Sequence, residues 1–367
     1  MKANPFEVID RRAFSPVYEM TRGRKMLLAP VAYPLSGIYA AGVKLWRKRG
    51  ADALDIGVAV VSVGSITVGG TGKTPLSMLI AEHIRDCGKS VAIVSRGYKR
   101  KQGPSPLIVS DGEGVKATVE EAGDEPYLMA RRLAGIPVVI DADRVRGAIR
   151  AKEVFAPDVI LLDDGFQCRG LKKRLDIVTL GPDALAPGAG YLPWGPLREG
   201  LGAIGDDDFV VYVARSESER EFMAGSAGGE TAAGRLRARE HFYLASYVDP
   251  VIVDGEGRSA AAEAAGRAAV LSGIARPEGF EATCETLGVD IGLGIRFDDH
   301  HWYTDTDAKM IERAMKERGC DWLLTTEKDF WRLPAGLRGR ARAVTISLRV
   351  YDASFLSEVL RRVNGHD

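Results

Sequence analysis

The stretch Ala59-Val-Val-Ser-Val-Gly-Ser-Ile-Thr-Val-Gly-Gly-Thr-Gly-Lys-Thr-Pro-Leu-Ser77 decides how this chain folds. Residues 58–63 are apolar and mostly β-branched, which predicts a buried strand. Residues 67–74 form a Gly-rich turn, and residues 75–87 carry apolar side chains at helical spacing, with a stop at Gly88. A strand, a Gly-rich turn ending in Gly-Lys-Thr and a helix together predict a phosphate-binding loop.

This loop offers three kinds of phosphate-binding group. Backbone N–H groups of the turn and the helix N-terminus attract an anion. Lys73 can reach the β- and γ-phosphates of a nucleotide, and the Thr74 hydroxyl can bind Mg²⁺. The predicted nucleotide-binding residues are Thr67, Val68, Gly69, Gly70, Thr71, Gly72, Lys73 and Thr74. Because Thr67 stands where the usual pattern begins with Gly, the three glycines must supply the turn. The alternative is a Gly-rich turn with an incidental lysine.

Further strands are predicted at residues 90–94, 136–140, 159–162 and 175–180, and helical patterns lie between several of them. This alternation predicts an α/β fold, a P-loop NTPase-like parallel sheet with helices on both faces. Ligands of such sheets bind at the carboxyl ends of the strands. We therefore expect the phosphate loop, Asp141 and Asp163 to converge there.

The length of 367 residues allows two domains. We predict an N-terminal amphipathic helical segment at 1–50, a P-loop core at 51–215 and a linker at 216–239, where the chain is small, polar and charged. A second, smaller α/β domain is predicted at 240–367, closing over the site.

Residues 1–50 contain ten Lys and Arg and three acidic residues, a net charge of +7, yet residues 26–43 carry no charge. Prolines and glycines interrupt this uncharged stretch, which makes it a marginal membrane span. Its apolar residues fall near one helical face, which indicates a basic amphipathic helix lying on an anionic membrane surface. A helix packed on the protein's own core explains the pattern equally well.

The overall composition excludes some classes of partner and site. Fifty basic and fifty acidic residues balance, so no global field attracts nucleic acid, and we expect no nucleic-acid partner. The four cysteines are far apart and form no CxxC pair, which is typical of reduced thiols in a cytosolic protein.

Two pairs of acidic residues could carry chemistry. Asp163 and Asp164 end an apolar strand, as a Walker B carboxylate does, and one of them would hold Mg²⁺ directly or through water; the alternative is that one of them caps a turn. Asp124 and Glu125 begin a helix, where a capping pair is the favoured interpretation and a general base or metal contact is the alternative.

Other polar residues give weaker signals. His300 and His301 follow two aspartates and suit either metal binding or acid–base work. Arg144 and Arg198 lie in predicted loops at the carboxyl edge of the sheet, where an Arg fork can clamp a phosphate.

The nucleotide is predicted to be ATP. The chain lacks the Asn/Thr-Lys-x-Asp that reads guanine, since Thr326-Glu-Lys-Asp329 has the wrong spacing. The signatures of protein kinases are missing too.

Several motifs together resemble the tetraacyldisaccharide 4′-kinase (lipid A 4′-kinase) family of Gram-negative bacteria. They run in family order over about residues 58 to 330: residues 67–75, Ser95-Arg-Gly-Tyr98, Gly123-Asp-Glu-Pro126, Asp163-Asp-Gly-Phe-Gln167, Leu192-Pro-Trp-Gly-Pro-Leu-Arg-Glu199, Ser272-Gly-Ile-Ala-Arg-Pro277, Asp299-His300 and Thr326-Glu-Lys-Asp329. Thr67 fits the family, whereas Trp194 stands where Ala is common.

The resemblance implies an enzyme that uses ATP and Mg²⁺ to phosphorylate the 4′-hydroxyl of a tetraacylated glucosamine disaccharide 1-phosphate, giving lipid IVA. It implies a peripheral enzyme on the cytoplasmic face of the bacterial inner membrane. By motif, the implied catalytic residues are Asp124, His300 and Lys73; the substrate or phosphate contacts are Tyr98, Glu125, Arg144, Gln167 and Arg198; and the metal ligands are Thr74, Asp163 and Asp164.

Two other functions remain open from the residues alone. A nucleotide-switched binding protein would predict a Cys/His metal cluster or a switch lysine at a dimer interface, and neither is evident in the sequence. A kinase for a soluble small molecule would need no membrane contact from residues 1–50.

Overall fold

The computed structural model describes residues 6–12, 22–49, 52–101, 103–186, 188–225, 231–255, 257–259 and 266–365. The chain divides into two compact units. One contains residues 1–15 and 248–347, and the other contains residues 16–247 and 348–367. We call the second the P-loop unit and the first the His300 unit, after the residues of interest that they contain.

The described strands are β1 (Glu7–Asp10), β2 (Ala59–Gly64), β3 (Val91–Ser95), β4 (Leu107–Asp111), β5 (Pro137–Ile140), β6 (Val159–Asp163), β7 (Leu175–Leu180), β8 (Phe209–Ala214), β9 (Phe242–Val253), β10 (Ala268–Ser272), β11 (Ile291–Arg296), β12 (Trp322–Thr326) and β13 (Ala341–Val350). The described α-helices are α1 (Arg22–Lys48), α2 (Lys73–Asp86), α3 (Val119–Ala122), α4 (Asp124–Arg132), α5 (Arg144–Phe155), α6 (Glu217–Gly225), α7 (Ala232–Arg237), α8 (Pro277–Thr286), α9 (Asp305–Glu317), α10 (Glu327–Arg332), α11 (Ala335–Arg338) and α12 (Phe355–Val363).

The P-loop unit is built on a sheet whose strand order is β8-β7-β2-β6-β3-β5-β4, with the first half of β9 beside β8. Neighbouring strands are parallel except for β4, which runs antiparallel to β5 at the edge. Alternate residues of each strand face opposite sides. Val61 and Val63 pack in a core with residues of α2, α4 and α12, whereas Val60 packs in a core with residues of α5. Helices therefore cover both faces, and the predicted fold class is confirmed.

In the His300 unit the strands are parallel and follow the order β1-β11-β10-β12-β13. Residues of α8 pack with Ala268 and Val270 on one face, and residues of α9 pack with Ala269 and Leu271 on the other. This unit is also a small α/β layer structure.

The unit boundaries differ from the predicted domain boundaries. Residues 348–367 group with the P-loop unit, because Phe355 and Val359 of α12 are buried in the core that contains α2. Residues 1–15 group with the His300 unit, because β1 extends its sheet beside β11. The predicted linker contains α6 and α7 in its described part, and Met223 and Leu236 are buried in a core beside β8.

The helix α1 also differs from expectation, since it continues through Pro30 and Pro34, which the sequence marks as interruptions. Each proline removes one backbone hydrogen bond of the helix. None of the helices in the described parts of the chain is both long and apolar enough to span a membrane.

Candidate active site

The phosphate loop connects β2 to α2, as predicted, and two of its glycines are required by backbone geometry. Gly69 has φ +94° and Gly72 has φ +80°, a region that side chains disfavour. Thr67 lies outside that region and forms a bridge with Leu197 instead. The first position of this loop is therefore strand-like, which explains why Thr is accommodated there.

Close packing holds the loop on the sheet. A Cβ on Gly64, the last residue of β2, would lie 2.4 Å from the Cβ of Phe166, so only glycine fits there. The hydroxyl of Thr179 donates to the carbonyl oxygen of Gly64 at 3.1 Å, and it lies 2.9 Å from the hydroxyl of Thr71. These contacts fix both ends of the turn.

Asp163 ends β6 beneath the loop and is fully buried. Its carboxylate accepts hydrogen bonds from Ser77 of α2 at 3.0 Å and from Ser95 at the end of β3 at 3.2 Å. Burial and repulsion from Glu125 and Asp164 raise the pKa of Asp163 to about 7. The site thus concentrates negative charge next to a phosphate-binding turn.

Asp164 lies beside two cations of the site. Both of its carboxylate oxygens accept hydrogen bonds from Arg198 at 3.0 Å, and one lies 3.8 Å from Nζ of Lys73. Burial alone would raise the pKa of Asp164, but the charges of Lys73 and Arg198 outweigh it and lower that pKa. Arg144 donates to the backbone oxygen of Asp164 at 3.2 Å. The structure therefore brings together Lys73, Asp163, Asp164, Arg144 and Arg198.

Gln167 is held against the start of the loop. Its Nε2 donates to the backbone oxygen of Ser65 at 3.0 Å and to Glu199 at 2.9 Å. Glu199 is buried and pairs with Arg47 of α1. Sequence reasoning assigned no role to Glu199 or Arg47, although Glu199 ends a recognised motif.

Asp124 and Glu125 begin α4. Asp124 is 3% exposed, and its carboxylate accepts the backbone N–H of Glu125 at 3.0 Å within the first turn of α4. Gly123 occupies the N-cap position and supplies no side-chain cap, so the favoured capping interpretation is not borne out. A Cβ on Gly123 would lie 3.1 Å from the backbone oxygen of Tyr98, so this helix start packs closely on the loop that carries the exposed Tyr98 ring. Since Glu125 acts on the pKa of Asp163, the helix start faces the buried carboxylate.

Asp141 directly follows β5, and its N–H donates to the backbone oxygen of Ser95 at the end of β3, so it lies at the carboxyl edge as expected, but its carboxylate is already paired. Both of its carboxylate oxygens accept from Arg146, at 2.6 and 2.8 Å, and one also accepts from Ser105 at 2.8 Å. An arginine one helical turn further on therefore occupies this carboxylate, and its role is structural.

The two adjacent histidines have different environments in the His300 unit. The ring of His301 stacks on Phe297 with centroids 4.4 Å apart, and its Nε2 lies 3.1 Å from a carboxylate oxygen of Asp307. His300 has φ +62°, and its N–H donates to the backbone oxygen of Gly273 at 3.0 Å. The ring of His301 is thus used in packing and in the contact with Asp307, so His300 is the better candidate for a catalytic role.

Asp329 supports the segment that carries His300. It is fully buried and accepts hydrogen bonds from the N–H of Gly273 at 3.1 Å and the hydroxyl of Tyr303 at 2.9 Å. It also pairs with buried Arg332, which donates to the backbone oxygen of Gly273. The motif at 326–329, which the resemblance included without a role for any of its residues, is therefore a buried structural centre.

Metal binding would depend on the bound nucleotide as well as on the protein. Within the described ranges, no group of three or more His, Cys, Asp and Glu side chains is placed to hold a metal ion. Sites for Mg²⁺ commonly use one or two carboxylates together with substrate phosphates. The pair Asp163 and Asp164 is compatible with that pattern.

Comparison with known proteins agrees with this geometry. Residues 25–364 match the family model described as tetraacyldisaccharide-1-P 4′-kinase. The tetraacyldisaccharide 4′-kinase of Anaeromyxobacter dehalogenans (strain 2CP-1) is 38% identical over 332 residues, which cover 88% of this chain and 86% of that protein. The same-named protein of Syntrophus aciditrophicus is 38% identical over 277 residues, 74% of each chain.

A solved structure agrees as well. The crystal structure of LpxK from Aquifex aeolicus in complex with ATP has a TM-score of 0.70 and 28% sequence identity, and the match covers 93% of this chain and 99% of that one. The resemblance predicted from the motifs is confirmed: this chain belongs to the tetraacyldisaccharide-1-P 4′-kinase family.

Proposed function

We infer that this chain uses ATP to phosphorylate the 4′-hydroxyl of a tetraacylated glucosamine disaccharide 1-phosphate, giving lipid IVA and ADP. The observation that carries this inference is a phosphate loop with Lys73 beside Asp164, in a chain that matches the kinase family over residues 25–364. The relatives named above share the activity's name over most of this chain. The predicted kinase activity is confirmed at the level of the family.

For the phosphate end of the reaction, we propose that residues 67–74 surround the triphosphate of ATP. The N–H groups at the start of α2 point to the phosphates, and Lys73 contacts the β- and γ-phosphates. Phosphoryl transfer depends mainly on positioning and charge stabilisation. The fixed turn, with its left-handed Gly69 and Gly72, supports that role.

Thr74, Asp163 and Asp164 would hold Mg²⁺, and the donors present fit this ion. A hydroxyl and two carboxylates are hard oxygen ligands. Burial and, after it, the neighbouring carboxylates raise the pKa of Asp163, and a bound cation would favour its charged form. When bound, the ion neutralises charge on the phosphate oxygens. Burial of Thr74 and Asp163 would keep competing water away from them.

We propose that Asp124 is the general base. It takes the proton of the 4′-hydroxyl while the hydroxyl oxygen bonds to the γ-phosphorus and the bond to the β-phosphate oxygen breaks, releasing ADP. The positive end of α4 favours the charged form of a carboxylate at that place. His300 would orient and polarise Asp124, and the structural commitment of His301 supports the choice of His300.

Because Asp124 and His300 belong to different units, we propose that the His300 unit closes over the site only when both substrates are bound. Closure of this kind limits wasteful hydrolysis of ATP. The ATPase rate without lipid is then far below the kinase rate, and equal rates would contradict the proposal.

Arg144, Arg198 and Gln167 are proposed contacts to phosphate or substrate, with Glu125 and Tyr98 as contacts to the sugar. Arg198 and Arg144 already lie at Asp164, where a planar guanidinium can exchange a carboxylate for a phosphate. Tyr98 is 55% exposed, which leaves ring surface for a substrate.

The helix α1 is proposed to lie on the cytoplasmic face of the inner membrane. Leu27 is 81% exposed, Val31 64% and Ile38 69%, whereas Ala32 and Ser36 are the only buried residues among the described side chains of the helix. A helix packed in the protein's own core would not leave these side chains in water. The side chains of Arg22, Arg24 and Lys25, which belong to the predicted basic flank, lie outside the described residues.

The deciding experiment incubates the protein with γ-labelled ATP and the disaccharide 1-phosphate lipid in mixed micelles. We expect label at the 4′ position with the wild-type chain and losses of at least about a hundredfold with Lys73→Ala and Asp124→Ala. Asp183→Ala serves as the control. Asp183 is half-exposed, forms an ion pair with Arg215 and lies far along the sequence from the named groups. Absence of transfer by the wild-type chain would overturn the proposed function.

A further inference from the structure

A series of polar contacts centred on the buried side chain of Glu199 connects α1 to the phosphate loop. Arg47, near the C-terminal end of α1, forms an ion pair with Glu199 and also donates to the backbone oxygen of Ala203 at 3.0 Å. Glu199 is 2% exposed. A carboxylate buried to this extent requires a partner, because an uncompensated buried charge is strongly destabilising.

From Glu199 the contacts continue into the loop. Its other carboxylate oxygen accepts from Nε2 of Gln167, the nitrogen that also donates to the backbone oxygen of Ser65. The backbone N–H groups of Arg198 and Glu199 both donate to the carbonyl oxygen of Ile66, at 2.7 and 3.1 Å. The segment of Glu199 is therefore attached at two adjacent residues to the chain entering the phosphate loop.

The same segment aims a substrate-binding group. Arg198 precedes Glu199 and reaches Asp164 with its guanidinium at 3.0 Å. Asp164 in turn lies 3.8 Å from Nζ of Lys73. A shift of Glu199 would therefore displace Arg198 with respect to the proposed phosphate position.

Other contacts attach α1 to this Gly- and Pro-rich loop. The hydroxyl of Ser36 donates to the backbone oxygen of Tyr191 at 2.7 Å, and the rings of Tyr33 and Trp194 meet edge to face at 5.8 Å. One side of α1 thus holds the loop while its opposite side exposes Leu27 and Ile38.

We propose that Arg47 is a positioning residue, which acts through buried Glu199 to hold Arg198 and Gln167 at the phosphate loop. In addition to its proposed attachment to the membrane, α1 then has a second role. Its contacts with the loop that carries Glu199 set the positions of Arg198 and Gln167. This proposal rests on the proposed function, because it assigns Arg198 to substrate or phosphate.

The test compares Arg47→Ala with Arg49→Ala, Arg47→Lys and the double variant Arg47→Ala/Glu199→Gln. Arg49 lies one residue beyond α1 and is exposed, so its loss removes the same charge from the same end of the helix. Each protein is assayed for kcat and KM with the lipid, for co-sedimentation with anionic phospholipid vesicles, and for affinity for a fluorescent ATP analogue.

We expect Arg47→Ala to lower kcat by about tenfold, while vesicle binding falls no more than in Arg49→Ala. Arg47→Lys retains a point charge without the fork, so its kcat is intermediate. In the double variant no buried charge is left unpaired, so kcat recovers by at least about threefold over the single variant. A purely structural role would change thermal stability without this split between kcat and vesicle binding.

The inference is overturned if kcat of Arg47→Ala equals that of Arg49→Ala, if its loss parallels an equal loss of vesicle binding, or if Glu199→Gln restores nothing. Should Arg47→Ala fail to fold, Arg47→Lys and the double variant give the same decision. If the wild-type chain transfers no phosphate, the proposed function fails, and affinity for the ATP analogue still tests the connection. An affinity in Arg47→Ala that equals the wild-type value then contradicts it.

Discussion

Substitution of Asp329 by Asn tests whether one buried carboxylate holds the His300 segment in place. The two side chains have nearly the same shape, but Asn cannot neutralise Arg332, whose side chain is 1% exposed. Asp329 now accepts hydrogen bonds from the N–H of Gly273 and from the hydroxyls of Tyr303 and Thr326. The NH₂ group of Asn is a donor, so it would face at least one of these donors without forming a hydrogen bond. The structure therefore loses a charge pair and at least one hydrogen bond at a buried site.

Removing one partner of a buried ion pair costs about 3–5 kcal/mol. For a unit of this size, such a loss corresponds to a fall in melting temperature of roughly 10–20 °C. The measurement is thermal unfolding followed by near-UV circular dichroism, with Asp305→Asn as the control, since Asp305 is exposed in the first turn of α9. We expect the control to shift by less than about 3 °C.

A second variant separates charge from packing. Arg332→Met in the Asp329→Asn background removes the uncompensated guanidinium, so it restores part of the lost stability. Because the N–H of His300 donates to the oxygen of Gly273, Asp329→Asn also lowers kcat, whereas affinity for the ATP analogue is retained, since residues 67–74 belong to the other unit. A cost below about 1 kcal/mol, or no recovery with Met, would refute this reasoning.

Three further outcomes follow from the structure. Gly72→Ala places a Cβ 3.2 Å from Val213 at φ +80° and is expected to cost about 1–3 kcal/mol in chemical unfolding, whereas Gly202→Ala, with open space around it, changes little. Burial raises the pKa of Asp141, but hydrogen bonds led by that of Arg146 outweigh it and lower this pKa. The carboxylate therefore stabilises the fold above its unfolded pKa and loses that effect as pH falls through its folded pKa. The melting temperature of Asp141→Asn should fall less steeply than that of the wild type between pH 7 and pH ~3, and equal slopes would contradict the assignment. Ile38→Glu should weaken co-sedimentation with anionic vesicles by at least about tenfold, while Val154→Glu, exposed on α5, leaves it unchanged; equal effects would argue against membrane contact by α1.

Much of the P-loop unit was predictable because its signals are local. The strand at residues 59–64, the glycine turn and the helix after it are contiguous in the sequence. The apolar run before Asp163 is by itself enough to predict a buried strand. Parallel strands bring their carboxyl ends to one edge, so Asp163 could be placed near Lys73 without knowledge of any distance. Asp141 also lies at the carboxyl end of its strand, but its carboxylate is paired with Arg146, which strand position alone does not predict.

The unit boundaries and the supporting residues were not predictable in this way. Whether β1 extends one sheet or α12 covers another is decided by pairing with residues hundreds of positions away. Arg47 and Glu199 are 152 residues apart, and no sequence pattern around either residue predicts that the two form an ion pair. The structural role of Asp329 was not predictable for the same reason, since its partners at residues 273 and 303 come from separate parts of the sequence.

The distribution of the N-terminal residues between the two units has a practical consequence for fragment design. Residues 6–12 supply an edge strand to the His300 unit, and the helix that follows belongs to the other unit. Trimming the first fifty residues to obtain a detergent-free preparation would also remove β1, with its backbone pairing to β11, from a unit encoded mostly by residues 248–347. Neither unit can be expressed as one uninterrupted piece of the gene, because each consists of two segments that are separated along the chain. Point changes on the outer side of α1 are therefore the sound way to separate attachment from catalysis.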